Sequence, residues 1–271
     1  MLFAPASRVR LATPWRRTVG ARLMRCALAV SAWAPSAAAQ EPTLPFRPGE
    51  ALEYQVQIHH LGTVGHGRMW VEGPSVDRSV PTWLLHLDVS AGTGPLGMQG
   101  HTTSWLDPVR FGITRFEKQE RRFMRTAQER VTILDQPRRW VDVMGPAGML
   151  GPEPPLDELS FLYFLRTLPL TSDSILRFER HFDAARNPVL IRNLGMARIE
   201  TPVGRFRAHL IEMEVRDPKH YDGAGIVRVY FDEGRCHVPL RIESRVPLVG
   251  VTVMVLESWS QVTRQPNGAF C

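Results

Sequence analysis

The chain has 271 residues, with 33 basic and 27 acidic side chains and a formal net charge of +6. Residues 1–39 contain six arginines and no acidic residue, which leaves 27 charges of each sign in the remaining chain. A nucleic-acid-binding domain carries a basic excess on its folded part. Residues 40–271 have no such excess, so no nucleic-acid partner is predicted.

The first 39 residues have the three parts of a cleavable secretory signal. Arginines precede a short apolar stretch, Cys26–Ala34, and a run of alanines ends at Ala39, just before Gln40. The apolar stretch is shorter than the about 20 residues that a membrane-spanning helix needs. We therefore predict cleavage between Ala39 and Gln40, a periplasmic or otherwise exported mature chain, and no transmembrane helix in that chain.

Three details of this leader bear on its processing. Either Met1 or Met24 is the start, since Met24 and the basic residue after it already begin a minimal signal. The residues after Arg16-Arg17 match a twin-arginine signal poorly, which favours the general export route. Leucine, methionine and arginine precede Cys26 where a lipoprotein has small residues, so no lipid anchor is predicted.

Alternating apolar and polar residues predict strands through most of the mature chain. Leu52, Tyr54, Val56 and Ile58 recur with a period of two, which places them on one face of a strand. Further strands are predicted over 63–72, 83–89, 111–120, 122–134 and 140–144, with a loop over 91–100. A helix is the alternative for 117–130, where glutamate and lysine favour it, and Gly145–Pro155 is predicted to be a linker.

One helix is predicted, over Asp157–Leu168. The Asp157 carboxylate can cap its first turn. Apolar residues surround the helix, and such a helix is buried; among them are Leu159, Leu162, Tyr163 and Leu165. Strands follow over 175–182, 189–193, 197–201, 206–216, 225–231, 240–246 and 249–262. The predicted fold is mainly β, a curved antiparallel sheet or partly open barrel with one buried apolar helix, in a single domain over 40–271.

Four segments, in this order and spacing, resemble an exported bacterial family known as domain of unknown function 3108. They are Pro45–Glu50 with Leu52 and Tyr54, Asp157–Arg166, Thr201–Phe206, and Val227–Glu233 continuing to Pro239–Ile242. The resemblance spans about 45–260. It implies an envelope protein similar in shape to periplasmic lipoprotein carriers and lipocalins, and it implies no reaction. The turn at Gly234–Val238 is about one residue longer here than in the family pattern.

The sequence indicates no catalytic apparatus, metal site or cofactor. His59 and His60 are adjacent in a strand and point to opposite faces, so they do not share an ion. The loop with Asp217, His220 and Asp222 is read as a solvated turn. Asp232-Glu233 is a carboxylate pair next to a turn, which is typical of the solvent-facing tip of a hairpin, and neither a Gly-x-Ser-x-Gly elbow nor a phosphate-binding loop is present. The sequence therefore favours a non-enzymatic protein over an enzyme.

Three functions remain open from the sequence. The first is binding of a lipid or other apolar or amphipathic envelope molecule on a concave sheet, with Trp70, Trp83 and Trp105 as candidate lining residues. The second is an envelope scaffold that binds another protein through an exposed strand edge, such as 249–262. The third is a hydrolase of envelope polymers, which rests on Asp232-Glu233 alone.

Two cysteines remain in the mature chain, Cys236 and Cys271. Export places them in an oxidising compartment, where paired cysteines tend to be joined. The nine residues after Val262 reach about 30 Å at full extension, enough to return to a neighbouring turn. A Cys236–Cys271 disulfide is the hypothesis, and a frayed tail with two free thiols is the alternative.

Overall fold

The computed structural model describes residues 44–58, 62–92, 97–122, 125–170, 175–218, 224–246, 250–263 and 270–271. Several predictions concern residues outside these ranges. They are the predicted signal, its cleavage site at Ala39 and Gln40, and the candidate polar residues His59, His60, His220 and Asp222.

Two antiparallel meanders, in which each strand pairs with the next along the chain, form the sheet. The first consists of β1 (Ala51–Ile58), β2 (Gly62–Asp77), β3 (Val80–Ala91), β4 (Met98–Asp107), β5 (Gly112–Arg122), β6 (Arg125–Leu134), β7 (Arg139–Asp142) and β8 (Ala147–Met149). The second consists of β9 (Leu176–Phe178), β10 (Val189–Thr201), β11 (Gly204–Arg216), β12 (Ala224–Asp232), β13 (Pro239–Val246) and β14 (Gly250–Ser260).

The meanders join where β1 pairs with β14, from Ala51 opposite Ser260 to Ile58 opposite Thr252. Within the described ranges this gives one fourteen-stranded antiparallel sheet that does not close. Its two edges are β8 and β9, which have three residues each. The predicted fold class, an open curved antiparallel sheet with one buried helix, is confirmed.

Helix α1 (Glu158–Leu165) follows β8 and precedes β9, so it lies in the connection between the two edges of the sheet. It contacts β3 and β4, on the face of the sheet that we call the inner face. Leu52, Tyr54 and Val56 of β1 belong to the same buried core as the helix, as their alternation predicts. No helix in the described residues is long and apolar enough to cross a membrane.

A smaller apolar cluster lies beside the main core, under β5, β6 and β7. Phe116, Val131 and Trp140 are buried there against Phe182, which lies in the connection between β9 and β10. The Trp140 and Phe182 rings meet edge to face with centroids 5.3 Å apart. This contact anchors the loop after β9 to the far side of the first meander.

Four local predictions differ from the structure. The helix alternative for 117–130 is wrong, because β5 and β6 pair in register from Arg115 opposite Thr132 to Arg122 opposite Arg125. The strands predicted over 189–193 and 197–201 are one strand, β10, with an irregularity at Gly195, whose φ is +93°. The predicted linker Gly145–Pro155 contains β8. The predicted exposed strand over 249–262 is β14, which is paired on both sides by β1 and β13.

Candidate functional site

A cavity of about 260 Å³ lies between α1 and the inner face of the sheet. The residues that surround it come from both meanders, from β3, β4 and β5 on one side and from β13 and β14 on the other. The sheet therefore curves far enough to bring strands that are several positions apart around one space. Leu159 and Leu162 of the helix cover it.

Most of the surface that lines the cavity belongs to apolar atoms, although six of its fifteen described residues are apolar and four are charged. Strand alternation places these side chains on the inner face, since Leu87 and Val89 are two apart in β3 and Ser244 lies opposite Thr252 across β13 and β14. The apolar lining consists of Leu87, Val89, Met98, Leu159, Leu162 and Met254. Ser244, Thr252 and Thr102 add three hydroxyl groups. This composition, apolar with a few polar groups, is typical of small-molecule sites.

The inner face of β5 changes from apolar to charged along the strand. Phe116 is fully buried, and the next three residues with the same orientation are Lys118, Glu120 and Arg122, which line the cavity. The Lys118 Nζ lies 3.2 Å from a Glu120 carboxylate oxygen, and an Arg122 guanidinium nitrogen lies 3.6 Å from the other oxygen. The edge of the cavity at β5 is therefore a row of ion pairs.

Helix α1 extends this row across the cavity. Glu158, in its first turn, lies 3.9 Å from Lys118 Nζ and forms a close ion pair with Arg186. Arg186 in turn lies 3.5 Å from Asp217. We call the alternating series Arg122–Glu120–Lys118–Glu158–Arg186–Asp217 the charged rim.

The neighbouring charges keep every member of the charged rim for which a pKa shift is resolved in its ionised form. Burial opposes the charge on Lys118, but Glu158 and Glu120 outweigh it and raise the Lys118 pKa. Burial likewise opposes ionisation of Glu158, but Lys118 and Arg186 outweigh it and hold the pKa of that carboxyl well below its usual range. Lys118, Glu158 and Arg186 therefore stay charged near neutral pH.

The capping residue of α1 fixes the N-terminal end of the helix. One oxygen of the Asp157 carboxylate accepts the backbone N–H groups of Leu159 and Ser160, at 2.8 and 2.9 Å, and the hydroxyl of Ser104 on β4, at 2.9 Å. The Ser160 hydroxyl accepts the Asp157 N–H in return, which completes a capping box. Burial raises the Asp157 pKa to about 7, although the bonds from Ser160, Ser104 and Leu159 oppose this rise.

A buried ion pair fixes the other end of the helix. Arg166, directly after α1, has a side chain that is 0% exposed and donates to both carboxylate oxygens of Glu50, at 2.5 and 3.0 Å. It also donates to the backbone carbonyls of Cys236 and Pro45, at 3.0 and 2.9 Å. The helix is therefore held to β4 at its start and to the segment before β1 at its end.

The predicted helix residues separate into two groups. Leu159 and Leu162 line the cavity, whereas Tyr163 and Leu165 are fully buried in the core beside it. Tyr163 packs against Phe46, with ring centroids 4.7 Å apart.

The three candidate tryptophans do not meet in one cleft. Trp83 belongs to the core, 8% exposed and edge-on to Phe46. Trp70 stacks on His86 with ring centroids 4.5 Å apart, and Trp105 lies under the guanidinium of Arg115. None of the three lines the cavity.

Asp232 organises a turn. Its carboxylate accepts the backbone N–H groups of Gly234, Val238 and Phe270, at 2.9, 2.7 and 2.8 Å. Glu233 pairs instead with Arg207, at 3.5 Å. Since one carboxylate is committed to three backbone donors and the other is directed to an arginine, the pair does not form an acid–base couple.

A disulfide joins Cys236 and Cys271, whose Cα atoms are 5.5 Å apart. This separation lies within the about 7 Å that a disulfide allows. Cys236 lies in the turn that Asp232 organises, and Phe270 is fully buried against Phe206 and Trp259. The bond and this packing together attach residues 270–271 to the second meander.

A polar cluster on the opposite, outer face has the order of a nucleophilic triad. Asp88 pairs with Nδ1 of His101, and Nε2 of His101 lies 3.1 Å from the Thr103 hydroxyl. The Thr103 hydroxyl also lies 3.0 Å from His86, and Thr103 is only 4% exposed. A buried hydroxyl shared by two imidazoles is closed to a substrate, so we do not assign catalysis to it. No group of three or more metal-ligating side chains with suitable geometry occurs in the described ranges.

Sequence reasoning missed the charged rim. Residues 117–130 are rich in charge, which is typical of a solvent-facing strand or a helix. The usable signal was the spacing of Lys118, Glu120 and Arg122, which continue the two-residue period of Phe116 onto the inner face.

Three solved structures align with this chain, and one of them, with a TM-score above 0.5, shows a similar fold. A β-barrel-like protein of domain of unknown function DUF1849 from Brucella abortus aligns over 78% of this chain and 96% of its own, with 10% identity and a TM-score of 0.53. A Bacteroides fragilis protein with a YmcC-like fold, described as a candidate exported protein, aligns over 80% and 98% with 11% identity and a TM-score of 0.31. A candidate lipoprotein from Parabacteroides distasonis aligns over 80% and 97%, also with 11% identity and a TM-score of 0.31.

No curated protein matches the chain at a significant level. The sequence profile of one family, described as a protein of unknown function (DUF3108), matches residues 53–257. That match covers most of the 271 residues and includes most of the cavity-forming strands and α1. The chain therefore belongs to the DUF3108 family, as the resemblance of its four segments indicates.

Proposed function

We propose that this protein is an exported, non-enzymatic binding protein whose cavity under α1 takes up the apolar chain of an amphipathic envelope molecule. The observation that carries the proposal is the cavity itself, with its apolar lining from both meanders and its charged rim on one side only. An apolar chain fits the lining, and a polar head group fits the rim. The predicted signal over residues 1–39 supports an envelope location.

The cavity volume favours a ligand with a single chain. Drug-sized ligands occupy pockets of about 300–1,000 Å³, and an apolar cavity of about 150 Å³ takes up benzene. At about 260 Å³, this cavity lies between these cases.

In the described part of the chain, the sheet offers only short free edges to a partner protein that would add a strand to it. The strand that suggested such a partner, β14, is paired on both sides, and β8 and β9 offer three residues each. Short edges of this kind limit strand addition. We therefore favour the binding function over the scaffold.

Filling the cavity tests the proposal. Ser244 faces the cavity from β13, and Arg245, the next residue, is exposed. We expect Ser244→Trp to abolish the fluorescence gain of an uncharged apolar probe, N-phenylnaphthylamine, because the indole occupies the space. Arg245→Trp is the matched control and should leave that gain unchanged.

Native mass spectrometry of protein recovered from the periplasm provides a second, independent measurement. We expect a bound amphiphile on the natural protein and on Arg245→Trp, and none on Ser244→Trp. Absence of any bound amphiphile, together with no probe binding by the natural protein, would overturn the proposal.

A further inference from the structure

The charges that line the cavity balance. Four charged residues contribute to its wall, two cationic (Lys118, Arg122) and two anionic (Glu120, Glu158). Their order along the wall alternates, with separations of 3.6, 3.2 and 3.9 Å between successive partners. Beyond Glu158 the charged rim continues with one more charge of each sign, Arg186 and Asp217.

Each of these charges already has an opposite charge beside it. A carboxylate head group that paired with Lys118 would compete with Glu120 and Glu158 for the same ammonium group. An ammonium head group that paired with Glu158 would compete with Lys118 and Arg186 in the same way. Either ion would give up part of its hydration at the rim, whose side chains are 30–41% exposed, and would gain no unengaged counter-charge in return.

A second cavity of about 240 Å³ shares Lys118 and Glu120 with the first. Gln128 lines it, with Glu129, Asp142 and Arg186 as further charged residues. Acidic residues outnumber basic ones in this lining, three to two. The charges of this second lining are thus also close to balance, so neither an anionic nor a cationic head group gains a strong counter-charge there, whereas hydroxyl groups can donate to the carboxylates and accept from Lys118.

From this balance we infer that the ligand is a non-ionic, hydroxyl-bearing single-chain amphiphile, with its apolar chain under α1 and its hydroxyl groups at the charged rim. A monoacylglycerol is the simplest example of this class. The inference rests on the proposed function and adds the chemistry of the head group.

Four ligands with the same chain length test it: monododecanoylglycerol, dodecanoic acid, dodecylamine and dodecylphosphocholine, each titrated as a monomer at neutral pH against bound N-phenylnaphthylamine. We expect the glycerol ester to bind about tenfold or more tightly than any of the other three, the equivalent of at least about 1.4 kcal/mol. An acid, amine or phosphocholine that binds as tightly as the ester would overturn the inference and leave the proposed function intact. If none of the four ligands nor the probe binds, the proposed function itself fails.

Two charge-removing variants separate recognition by the rim from simple hydrophobic uptake. Lys118→Met leaves the charged rim with three acids against two arginines and should improve dodecylamine binding relative to dodecanoic acid. Glu120→Gln leaves an unpaired cation and should shift the same ratio in the opposite direction. If the ratio of dodecylamine affinity to dodecanoic acid affinity is the same in the natural protein and in both variants, the charged rim does not contact the head group. That result would overturn the inference even if the glycerol ester binds well.

Discussion

Removing the guanidinium of Arg166 should destabilise the fold more than any other single change considered above. Its side chain is fully buried and makes two bonds to Glu50 and one to each of two backbone carbonyls. Breaking a buried ion pair by deleting one partner costs about 3–5 kcal/mol, because the remaining charge has no counter-charge. Arg166→Met also leaves the carbonyls of Cys236 and Pro45 without this donor, so we expect the upper end of that range.

A double-mutant cycle measures the ion pair itself. Glu50→Leu alone should cost about 3–5 kcal/mol, since it leaves the guanidinium unpaired. The double variant that combines Glu50→Leu and Arg166→Met should lose clearly less free energy of unfolding than the two single variants lose together. The reason is that neither charge of the pair is left behind without its partner. For a domain of this size each kcal/mol lowers Tm by about 2–4 °C, so each single variant should melt roughly 6–20 °C lower.

The assay is urea unfolding monitored by tryptophan fluorescence, with Arg177→Met as the control. Arg177 pairs with Glu179, but both side chains are 60% exposed, and such a pair contributes about 0–1 kcal/mol. A loss below about 1 kcal/mol for Arg166→Met, or strictly additive losses in the cycle, would refute the reasoning.

Three further predictions concern the ends of the chain and of the helix. Thiol labelling of the mature protein, unfolded without reductant, should find no free thiol, and two labelled cysteines would contradict the disulfide. Cys236→Ser should lower the free energy of unfolding by about 4 kcal/mol, because the bond joins residues 35 positions apart. Asp157→Ala should cost about 1–2 kcal/mol in urea unfolding, whereas Asp157→Asn, which keeps the accepting oxygen, should cost less. Because the folded-state pKa of Asp157 is raised to about 7, the folded state binds the proton more tightly, so this residue's contribution to stability falls as pH rises from about 4 to about 7; Asp157→Asn should remove that slope. Mass spectrometry of the exported protein should find Gln40 as the first residue, and a retained leader would contradict the predicted cleavage.

The sequence predicts the elements well where one face of a strand is buried and the other is not. The period of two in β1 is visible because Leu52, Tyr54 and Val56 face the core. Helix α1 can be predicted from a different pattern, because apolar residues occupy all of its faces and a capping residue precedes it. The continuous strand β10 is less visible, because its middle residues are exposed and Gly195 interrupts the pattern.

The site was harder to predict than the fold. Lys118 and Glu158 are 40 residues apart, and only the packing of α1 on the sheet brings them to 3.9 Å. The Glu50–Arg166 pair spans 116 residues, although both of its members lie in segments that carry the family resemblance. Local patterns identify an element and its buried face, but they do not show which buried faces share a space.

The order of the strands has a consequence for folding kinetics. Every strand pairing within each meander joins neighbours in sequence, whereas the pairing of β1 with β14 joins residues about 200 positions apart. Closing a loop of that length costs about 3–4 kcal/mol more than closing a hairpin turn, since the entropy grows with the logarithm of loop length. The two meanders can therefore form independently and rapidly. The pairing of β1 with β14 is then the slowest step and sets the folding rate. In pulse-labelling hydrogen exchange, the amides of β1 that face β14 should gain protection after those that face β2.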